Sequence, residues 1–459
     1  MLNSESLQKL KAQLDHRPSE KQSGDESQVV TPIIERLLET VGFSHLDRIT
    51  QFKCNDHPSL KTDIACRLVD ENGNSFFNNQ KNPQIICEIK CTNYQLSNFH
   101  KQYWEVHKQL KSQLLGNYCK NTPIGVISNG WEIQLFRHDH KITHPLTPLI
   151  ELNSETAEKV AEKFLQSIKA PKRGSIIGVY NNKGGIGKTT TVSNVGIVLA
   201  QNKRKVLLVD FDPNQGGLTK LLKLSTNQGN VWNYLKGITP LDSIIQSYSA
   251  GSGGNKVKLD VITADSRFLY DSETDIEQQI RPEFLRNKLL EAAKNYDYIL
   301  VDMPPNWRWF AQVGLLSLDA LLVPAHHNDW ESIQNLESVI TLFLPQVGQM
   351  RKMYLDEGMP ALLPLVLNRY NATPAQSKNF RSLLDKIISS NPEYKQIFNN
   401  FFYVENHGFL SQNKRILELG YHVEIANAAM QDNGVPGPIR YRKARDVYQS
   451  LIREVITEL

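Results

Sequence analysis

The stretch Ser175–Thr190, SIIGVYNNKGGIGKTT, decides the fold of the larger part of the chain. Its first residues are apolar and rich in isoleucine and valine, which predicts a buried strand. Gly184, Gly185 and Gly187 then predict a tight loop, and a helix follows from Thr189. Backbone N–H groups at the start of such a helix bind phosphate. The stretch therefore predicts a nucleotide-phosphate cradle; a plain glycine-rich turn between a strand and a helix is the alternative.

The residues that close this loop carry the chemistry of the cradle. Lys188 is expected to neutralise charge on the β and γ phosphates, and the Thr189 hydroxyl to coordinate Mg²⁺. Thr190 completes the motif. The commonest form of the motif has a glycine where this chain has Asn182, and Lys183 comes next. We expect a nucleoside triphosphate with Mg²⁺ at this site.

The composition describes a folded protein of more than one domain. The chain has 459 residues, of which 40% are hydrophobic and 22% charged, and one ordinary core does not extend over such a length. The net charge of +4 permits contact with nucleic acid without demanding it. No apolar stretch approaches the ~18 residues of a membrane span, and the N-terminus lacks the apolar core of a signal peptide. We expect a cytoplasmic location without membrane association.

All five cysteines lie in the first third of the chain. Their odd number argues against a disulfide framework and favours reduced thiols. Zinc is the alternative, because Cys54 and His57 are close in sequence, as are Cys87 and Cys91. Neither pair has the usual C-x-x-C spacing, and no second half of such a site is visible.

A pattern of carboxylates and a lysine marks the region before the cradle. Residues 61–69 and 83–92 are predicted strands. Because side chains alternate along a strand, Glu88 and Lys90 share one face. Together with Asp63, they are typical of a metal-dependent nuclease, in which the two carboxylates hold Mg²⁺ and the lysine orients or activates the attacking water. A strand edge with alternating solvated charges is the alternative.

Residues 31–137 resemble the N-terminal nuclease domain of type I restriction enzyme R subunits, within the PD-(D/E)xK superfamily. The matching pieces are an early helix with Glu35, Asp63 in TDIA, Glu88-Ile89-Lys90, a later helix with Gln113 and Tyr118, and the closing hairpin GVISNGWEIQLFR. The resemblance implies that Asp63, Glu88 and Lys90 are catalytic and that Glu35 supplies a further acid. Threonine precedes Asp63 where the superfamily pattern has proline, which leaves activity open.

From Ser175 onwards, apolar strands alternate with helical patterns. This alternation predicts a parallel sheet covered by helices on both faces. Ligands of such sheets bind at the carboxyl ends of the strands, and Asp210, Asp212 and Asp302 lie at two of these ends. We expect the three carboxylates to act as ligands of Mg²⁺ and water.

Three motifs, KGGIGKTT (183–190), VLLVDFDPNQGG (206–217) and YILVDMPP (298–305), together resemble the deviant Walker A, A′ and B motifs of the ParA/MinD ATPase family. The likeness extends over roughly residues 175–459. It implies ATP as the nucleotide and a homodimer that forms around it. Lys183 is then the signature lysine, which reaches across the dimer to the partner's phosphates.

The same resemblance implies roles for the other motif residues. Lys188 and Thr189 serve phosphate and Mg²⁺, Asp212 positions the attacking water, Asp302 supports Mg²⁺ and Asn368 contacts adenine. The loop DPNQGG stands where the family more commonly has DPQG, which leaves the rate of hydrolysis open.

Four basic residues lie near the start of the last helix: Arg440, Arg442, Lys443 and Arg445. ParA-type dimers bind DNA without sequence preference through basic residues in this region, so the resemblance implies a patch that contacts phosphates. The solvated face of a packed terminal helix is the alternative.

The expected architecture is α/β. It comprises a flexible leader (1–28), a restriction-endonuclease-like domain (29–150), a helical linker (151–174) and a parallel-sheet P-loop ATPase domain (175–459). The sequence favours an ATP-dependent, dimerising, DNA-binding ATPase that controls a Mg²⁺-dependent DNA endonuclease, in defence against plasmid or phage DNA. The alternative is a partition or positioning ATPase whose first domain binds only DNA or a partner protein.

Overall fold

The computed structural model describes the chain except for residues 18–25, 70–72, 74, 171, 228–229, 252–255, 266, 271–272, 405–413, 421, 424 and 426–434. It divides into two compact units. The first comprises Met1–Pro171 and Asp356–Gly358, and the second Lys172–Leu355 and Met359–Leu459. Both are mixed α/β.

Helices and strands of the first unit have the following bounds. The helices are α1 (Ser4–Asp15), α2 (Thr31–Thr40), α3 (Lys101–Leu114) and α4 (Ala157–Lys169). The strands are β1 (Arg48–Lys53), β2 (Lys61–Cys66), β3 (Ile85–Ile89), β4 (Ile124–Ser128), β5 (Glu132–Asp139), β6 (Ile142–Pro145) and β7 (Ile150–Glu151). The sheet order is β1-β2-β3-β4-β5-β6, with β7 paired to β5. Only β3 and β4 are parallel among these described pairs, because α3 connects them.

Apolar side chains line both faces of this sheet. One face packs against α1, α2 and α4 through residues such as Leu10, Ile34 and Phe164. The other packs against α3, whose Val106 and Leu110 are fully buried. Each buried aliphatic or aromatic side chain of this kind stabilises the fold by about 1.5–3 kcal/mol.

Two expected boundaries are wrong. Residues 4–15 are not a flexible leader, because they form α1, and its Leu10 and Leu14 belong to the first core. Residues 157–169 are not a linker helix, because the apolar stripe of α4 is buried in that same core. Part of the predicted leader, residues 18–25, lies outside the described residues.

The second unit contains more elements. Its helices are α5 (Lys188–Gln201), α6 (Gly217–Leu221), α7 (Asn230–Leu235), α8 (Arg267–Tyr270), α9 (Glu273–Gln279), α10 (Glu283–Ala292), α11 (Trp309–Leu316), α12 (Trp330–Ser338), α13 (Leu344–Tyr354), α14 (Pro374–Ser390), α15 (Lys395–Phe398), α16 (Gly437–Arg440) and α17 (Arg442–Val455). Its strands are β8 (Ser175–Val179), β9 (Val206–Asp210), β10 (Ile245–Ala250), β11 (Val257–Ile262), β12 (Tyr298–Asp302), β13 (Ala320–Leu322), β14 (Pro324–Ala325), β15 (Ala361–Leu362), β16 (Val366–Tyr370), β17 (Tyr403–Val404), β18 (Lys414–Arg415) and β19 (Leu417–Gly420).

The main sheet of the second unit has the order β10-β11-β9-β12-β8-β13-β15. All of its neighbours are parallel except the pair β10 and β11. Its central strands β8, β9 and β12 are buried along their whole length, as their near-continuous apolar sequences predict. The parallel register places Asp302 beside both Asp210 and Val179, so that the carboxyl ends of the central strands form one edge.

A bilayer-spanning helix is absent from the part of the chain that the structure describes.

Candidate functional sites

The loop between β8 and α5 is an open cradle. Gly185 and Gly187 have φ values of 74° and 90°, a region that glycine adopts without strain. A Cβ atom added to Gly184 or Gly185 would meet no atom within 4 Å. The loop therefore leaves space in front of the N-terminus of α5, where backbone N–H groups and the helix dipole favour an anion.

Lys188 is buried at the start of α5. Its Nζ donates a hydrogen bond to the backbone oxygen of Lys183 at 2.6 Å, and only 7% of the residue is exposed. Burial lowers the pKa of Lys188 to about 8, although Asp302 and Asp212 act to raise it. A phosphate at the cradle would add negative charge and favour the charged lysine.

Asp302, at the end of β12, has one carboxylate oxygen without a partner. Thr189 Oγ1 donates to Asp302 Oδ2 at 2.7 Å, while Asp302 Oδ1 is buried without a hydrogen-bond partner among the described residues. Burial raises the pKa of Asp302 to about 8, with the charge of Asp210 adding to the effect. A threonine hydroxyl beside a free carboxylate oxygen matches the oxygen ligands that Mg²⁺ prefers, so these residues fit Mg²⁺.

Asp210, the last residue of β9, and Asp212 accept hydrogen bonds from groups of the same chain. Asp210 Oδ2 accepts hydrogen bonds from the backbone N–H and the hydroxyl of Thr219, at 2.8 and 2.7 Å. Asp212 Oδ1 accepts from the backbone N–H groups of Asn214 and Gln215, at 3.0 and 3.2 Å. Asp210 is thus tied to α6, and Asp212 orders the DPNQGG loop. No sequence pattern marks Thr219, because its contact with Asp210 joins helix α6 to the end of β9.

The predicted adenine contact, Asn368, lies against the cradle itself. Its Nδ2 donates to the backbone oxygen of Ile186 at 2.9 Å and to Thr191 Oγ1 at 3.3 Å. A Cβ added to Gly187 would lie 2.8 Å from the same Nδ2. Asn368 therefore connects the glycine loop to the first turn of α5. Thr190 is half-buried in the first turn of α5.

The four C-terminal basic residues differ in exposure. Arg442 and Lys443 are exposed at the start of α17. Arg445 Nε donates to the backbone oxygen of Pro438 at 3.3 Å, and Arg440 is exposed at the end of α16. The opposite face of α17 is buried and packs against α5, so the exposed Arg442 and Lys443 lie on a helix that packs against the helix following the cradle.

In the first unit, Glu88 is buried, and both of its carboxylate oxygens have partners. Its Oε1 pairs with Lys90 Nζ at 2.5 Å, and its Oε2 accepts from Gln113 Nε2 at 2.6 Å. Burial raises the pKa of Glu88 to about 7; the charge of Asp63 adds to this effect and Lys90 opposes it. The structure therefore brings Glu88 and Lys90 to one face of the sheet.

Asp63 lies on the strand next to Glu88. Its Oδ2 accepts from the backbone N–H of Ile89 at 2.7 Å, and its Oδ1 from Gln51 Nε2 at 3.2 Å. Burial raises the pKa of Asp63. Glu35 is half-buried on α2, and its backbone oxygen accepts from Arg48 at 2.9 Å. Within the described residues, no group of three or more histidine, cysteine, aspartate or glutamate side chains is placed to hold a metal ion.

The chain is similar to known proteins over its second unit. A family model described as an AAA domain matches residues 174–352. Sporulation initiation inhibitor protein Soj of Bacillus subtilis (strain 168) is 39% identical over 150 residues, which cover 32% of this chain and 54% of that protein. Chromosome partitioning protein ParA of Caulobacter vibrioides is 33% identical over 155 residues, which cover 32% of this chain and 55% of that protein.

Residues 174–352 form a P-loop ATPase domain similar to those of the ParA/MinD family. The chain spans a little over half the length of these two relatives. Among solved structures, Cyanothece McdA in complex with ATP has a TM-score of 0.45 at 17% identity, over 62% of this chain and 96% of that one. The ParA/MinD domain contains the cradle, Asp212 and Asp302, and its likeness to these proteins is consistent with ATP and Mg²⁺.

Proposed function

We propose that this protein is a ParA-type partition or positioning ATPase. In this proposal it binds ATP with Mg²⁺, forms a homodimer around the nucleotide, binds DNA without sequence preference and acts in the cytoplasm. The first unit binds DNA or a partner protein. The relatives named as chromosome partitioning proteins favour this function over the ATP-gated endonuclease that the sequence first suggested.

One observation carries the proposal: Asp302 Oδ1, buried without a hydrogen-bond partner in the described ranges, lies beside an open glycine loop. An unpaired buried carboxylate oxygen is costly, and a cation offsets that cost. Thr189 and Asp302 would hold Mg²⁺, which when bound neutralises charge on the phosphates. Lys188, with Gly184 and Gly185, would hold the phosphates.

Hydrolysis and dimerisation use residues at the edge of the cradle. Asp212, held by its own loop, would orient the attacking water. Lys183, which begins the cradle, would reach the phosphates bound by the partner subunit. The exposed Arg442 and Lys443 would contact the DNA backbone, together with Arg440.

DNA retention under ATP tests the proposal. Full-length protein is passed over a long, non-specific DNA duplex with ATP, ADP or no nucleotide, and ATP hydrolysis is measured with and without DNA. We expect retention with ATP only, and its loss in Lys188→Ala. The matched control is Lys220→Ala, which removes an exposed lysine of α6. Equal retention by Lys188→Ala and wild type would overturn the proposal.

A Mg²⁺-dependent endonuclease is the second candidate function. The observation that favours it is the adjacency of Asp63, Glu88 and Lys90 on β2 and at the end of β3. The bonds within this cluster occupy both oxygens of Asp63 and both of Glu88. A metal ion would therefore have to displace internal partners before the carboxylates could act.

Plasmid linearisation distinguishes the two functions. Wild type, Asp63→Ala and Lys188→Ala are incubated with supercoiled plasmid and Mg²⁺ or Mn²⁺, with and without ATP. Cutting that is lost in Asp63→Ala would establish the nuclease. Absence of cutting, or cutting that survives Asp63→Ala, would leave the first unit as a binding module.

A further inference from the structure

Helix α12 contacts the residues that lead into the cradle. Asn181 Nδ2 donates to the backbone oxygen of Ser332 at 3.2 Å, as well as to that of Pro324 at 2.9 Å. Asn335 Nδ2 donates to the backbone oxygen of Asn182 at 3.1 Å. These hydrogen bonds connect Asn181 and Asn182 to α12. They fix the position of the residues just before the cradle relative to that helix.

The next residue along the loop, Lys183, is paired with the first turn of the same helix. Its Nζ forms an ion pair with Glu331. Glu331 and, less strongly, Asp329 raise the pKa of Lys183, although burial opposes them. Asp329 is the N-cap of α12 and binds the backbone N–H of Ser332 at 3.2 Å, so it also fixes the turn that carries Glu331.

This pair is near the surface. The side chain of Lys183 is 29% exposed and that of Glu331 is 62% exposed. Exposed ion pairs contribute little to stability, because water competes with both partners. The pair is therefore strong enough to bias the position of the lysine and weak enough for a phosphate group to replace it.

We propose that Glu331 is a positioning residue that holds Lys183 within its own subunit and releases it when the partner subunit presents nucleotide phosphates. This inference rests on the proposed function, in which Lys183 acts across the dimer. Glu331 is then an acidic competitor of the partner's nucleotide. Without ATP the lysine is held by its own chain, and self-association stays low; with ATP the more highly charged phosphates take the lysine.

Amine reactivity of Lys183 tests the pair without any need for dimerisation. The full-length, nucleotide-free protein is acylated briefly at pH 8–9, and labelling of Lys183 is quantified by mass spectrometry. Glu331→Gln removes the carboxylate charge at constant size. We expect labelling about 2–5-fold faster than in wild type, since losing an exposed pair lowers the lysine pKa. Glu277→Gln, an exposed glutamate of α9, is the matched control and leaves the rate unchanged.

Dimerisation tests the consequence of the pair. Sedimentation with a non-hydrolysable ATP analogue and Mg²⁺ measures the dimer dissociation constant of the same proteins. We expect Glu331→Gln to dimerise about 2–5-fold more tightly than wild type. In a Lys183→Ala background the same substitution is expected to leave the dimer dissociation constant unchanged, because Glu331 then has no lysine to pair with.

The outcomes separate this inference from the proposed function. Unchanged Lys183 labelling in Glu331→Gln overturns the pair. Faster labelling without tighter dimerisation, in a wild type that does dimerise, overturns the competition while the proposed function stands. A wild type that stays monomeric with the ATP analogue contradicts the proposed function and removes the competition with it.

Discussion

The two units each place aspartate or glutamate beside a lysine at the end of a strand, but they satisfy these charges differently. In the first unit, Glu88 is paired with Lys90 and hydrogen-bonded by Gln113, and Asp63 is bound on both oxygens. In the second unit, Asp302 keeps one buried oxygen without a partner in the described part of the chain. Both carboxylates of the first cluster thus have internal partners, whereas Asp302 of the second has one oxygen available to a ligand.

The difference teaches that a carboxylate pattern does not by itself define a metal site. What matters is whether the surrounding residues supply a partner for each carboxylate oxygen. Around Asp302, the glycines of the cradle give no side chain to fill the space. Around Glu88, helix α3 supplies Gln113. Four predictions break or sharpen this comparison, in order of decreasing effect.

Asp302→Asn is expected to give the largest effect. The amide keeps the shape and the bond from Thr189 but is a poor ligand of Mg²⁺, so ATP hydrolysis should fall by about 100-fold or more, beyond the 10–100-fold typical of outer ligand partners. Thermal stability without nucleotide should change little, because the amide keeps the size of the buried side chain and the hydrogen bond from Thr189. Asp242→Asn, at an exposed aspartate, is the control. Near-normal hydrolysis in Asp302→Asn would refute the metal role.

Glu88→Gln is expected to destabilise the first unit. The substitution removes the carboxylate charge that pairs with Lys90, and we expect a loss of about 1–2 kcal/mol of unfolding free energy. Hydrogen exchange of β3 and α3 peptides measures this loss for the first unit alone. The double variant Glu88→Gln/Lys90→Met should recover part of it. A gain in stability in the single variant would instead mark Glu88 as a strained active-site group and make the units alike.

Two histidines of low pKa, the buried His138 and the half-buried His107, predict an acid-sensitive first unit. Burial lowers the pKa of His107 and of His138 to about 3, below the ordinary value of about 6.5 in the unfolded chain. Between these values the unfolded state binds more protons, so the stabilising contribution is complete above pH 6.5 and is lost as the pH falls towards 3.

Neighbouring charged groups also affect how the stability of the first unit depends on pH. Lys111 also lowers the pKa of both histidines, and the raised pKa of Glu88 contributes to stability with the opposite sign. The informative quantity is therefore the difference between wild type and His138→Gln. Hydrogen exchange should show that the difference shrinks by about 1–2 kcal/mol between pH 7 and pH 5. Exposed His100→Gln is the control; equal slopes for all three proteins would contradict the prediction.

Gly184→Ala is expected to have the smallest effect. Its Cβ meets nothing within 4 Å, and its φ is not positive, so the free energy of unfolding should stay within about 0.5 kcal/mol of wild type. The methyl group occupies space in the cradle, and nucleotide affinity should fall about 3-fold, or about 0.7 kcal/mol. Gly187→Ala, which meets Asn368 at positive φ, should also lose stability. Unchanged affinity in Gly184→Ala would mean that phosphate does not approach this part of the loop.

Local patterns predicted much of the second unit. The strand–loop–helix order around the cradle and the parallel sheet follow from apolar runs, glycines and helical spacing, and the structure has both. The parallel-sheet rule also predicted that Asp210 and Asp302 would meet at one edge. The pairing of Glu88 with Lys90 follows from strand alternation. The roles of these residues remain predictions.

The sequence by itself determined the cradle of Ser175–Thr190, because glycine conformations, a helix start and a strand are local properties of the chain. Tertiary structure alone decided which groups stay unpaired and which helices are core. Leu10 of α1 and Phe164 of α4 became core residues only because a sheet face lies opposite them. Likewise, within the described part of the chain Asp302 Oδ1 has no hydrogen-bond partner, whereas Glu88 Oε2 accepts from Gln113. Such pairings join residues far apart in sequence, and no local period encodes them.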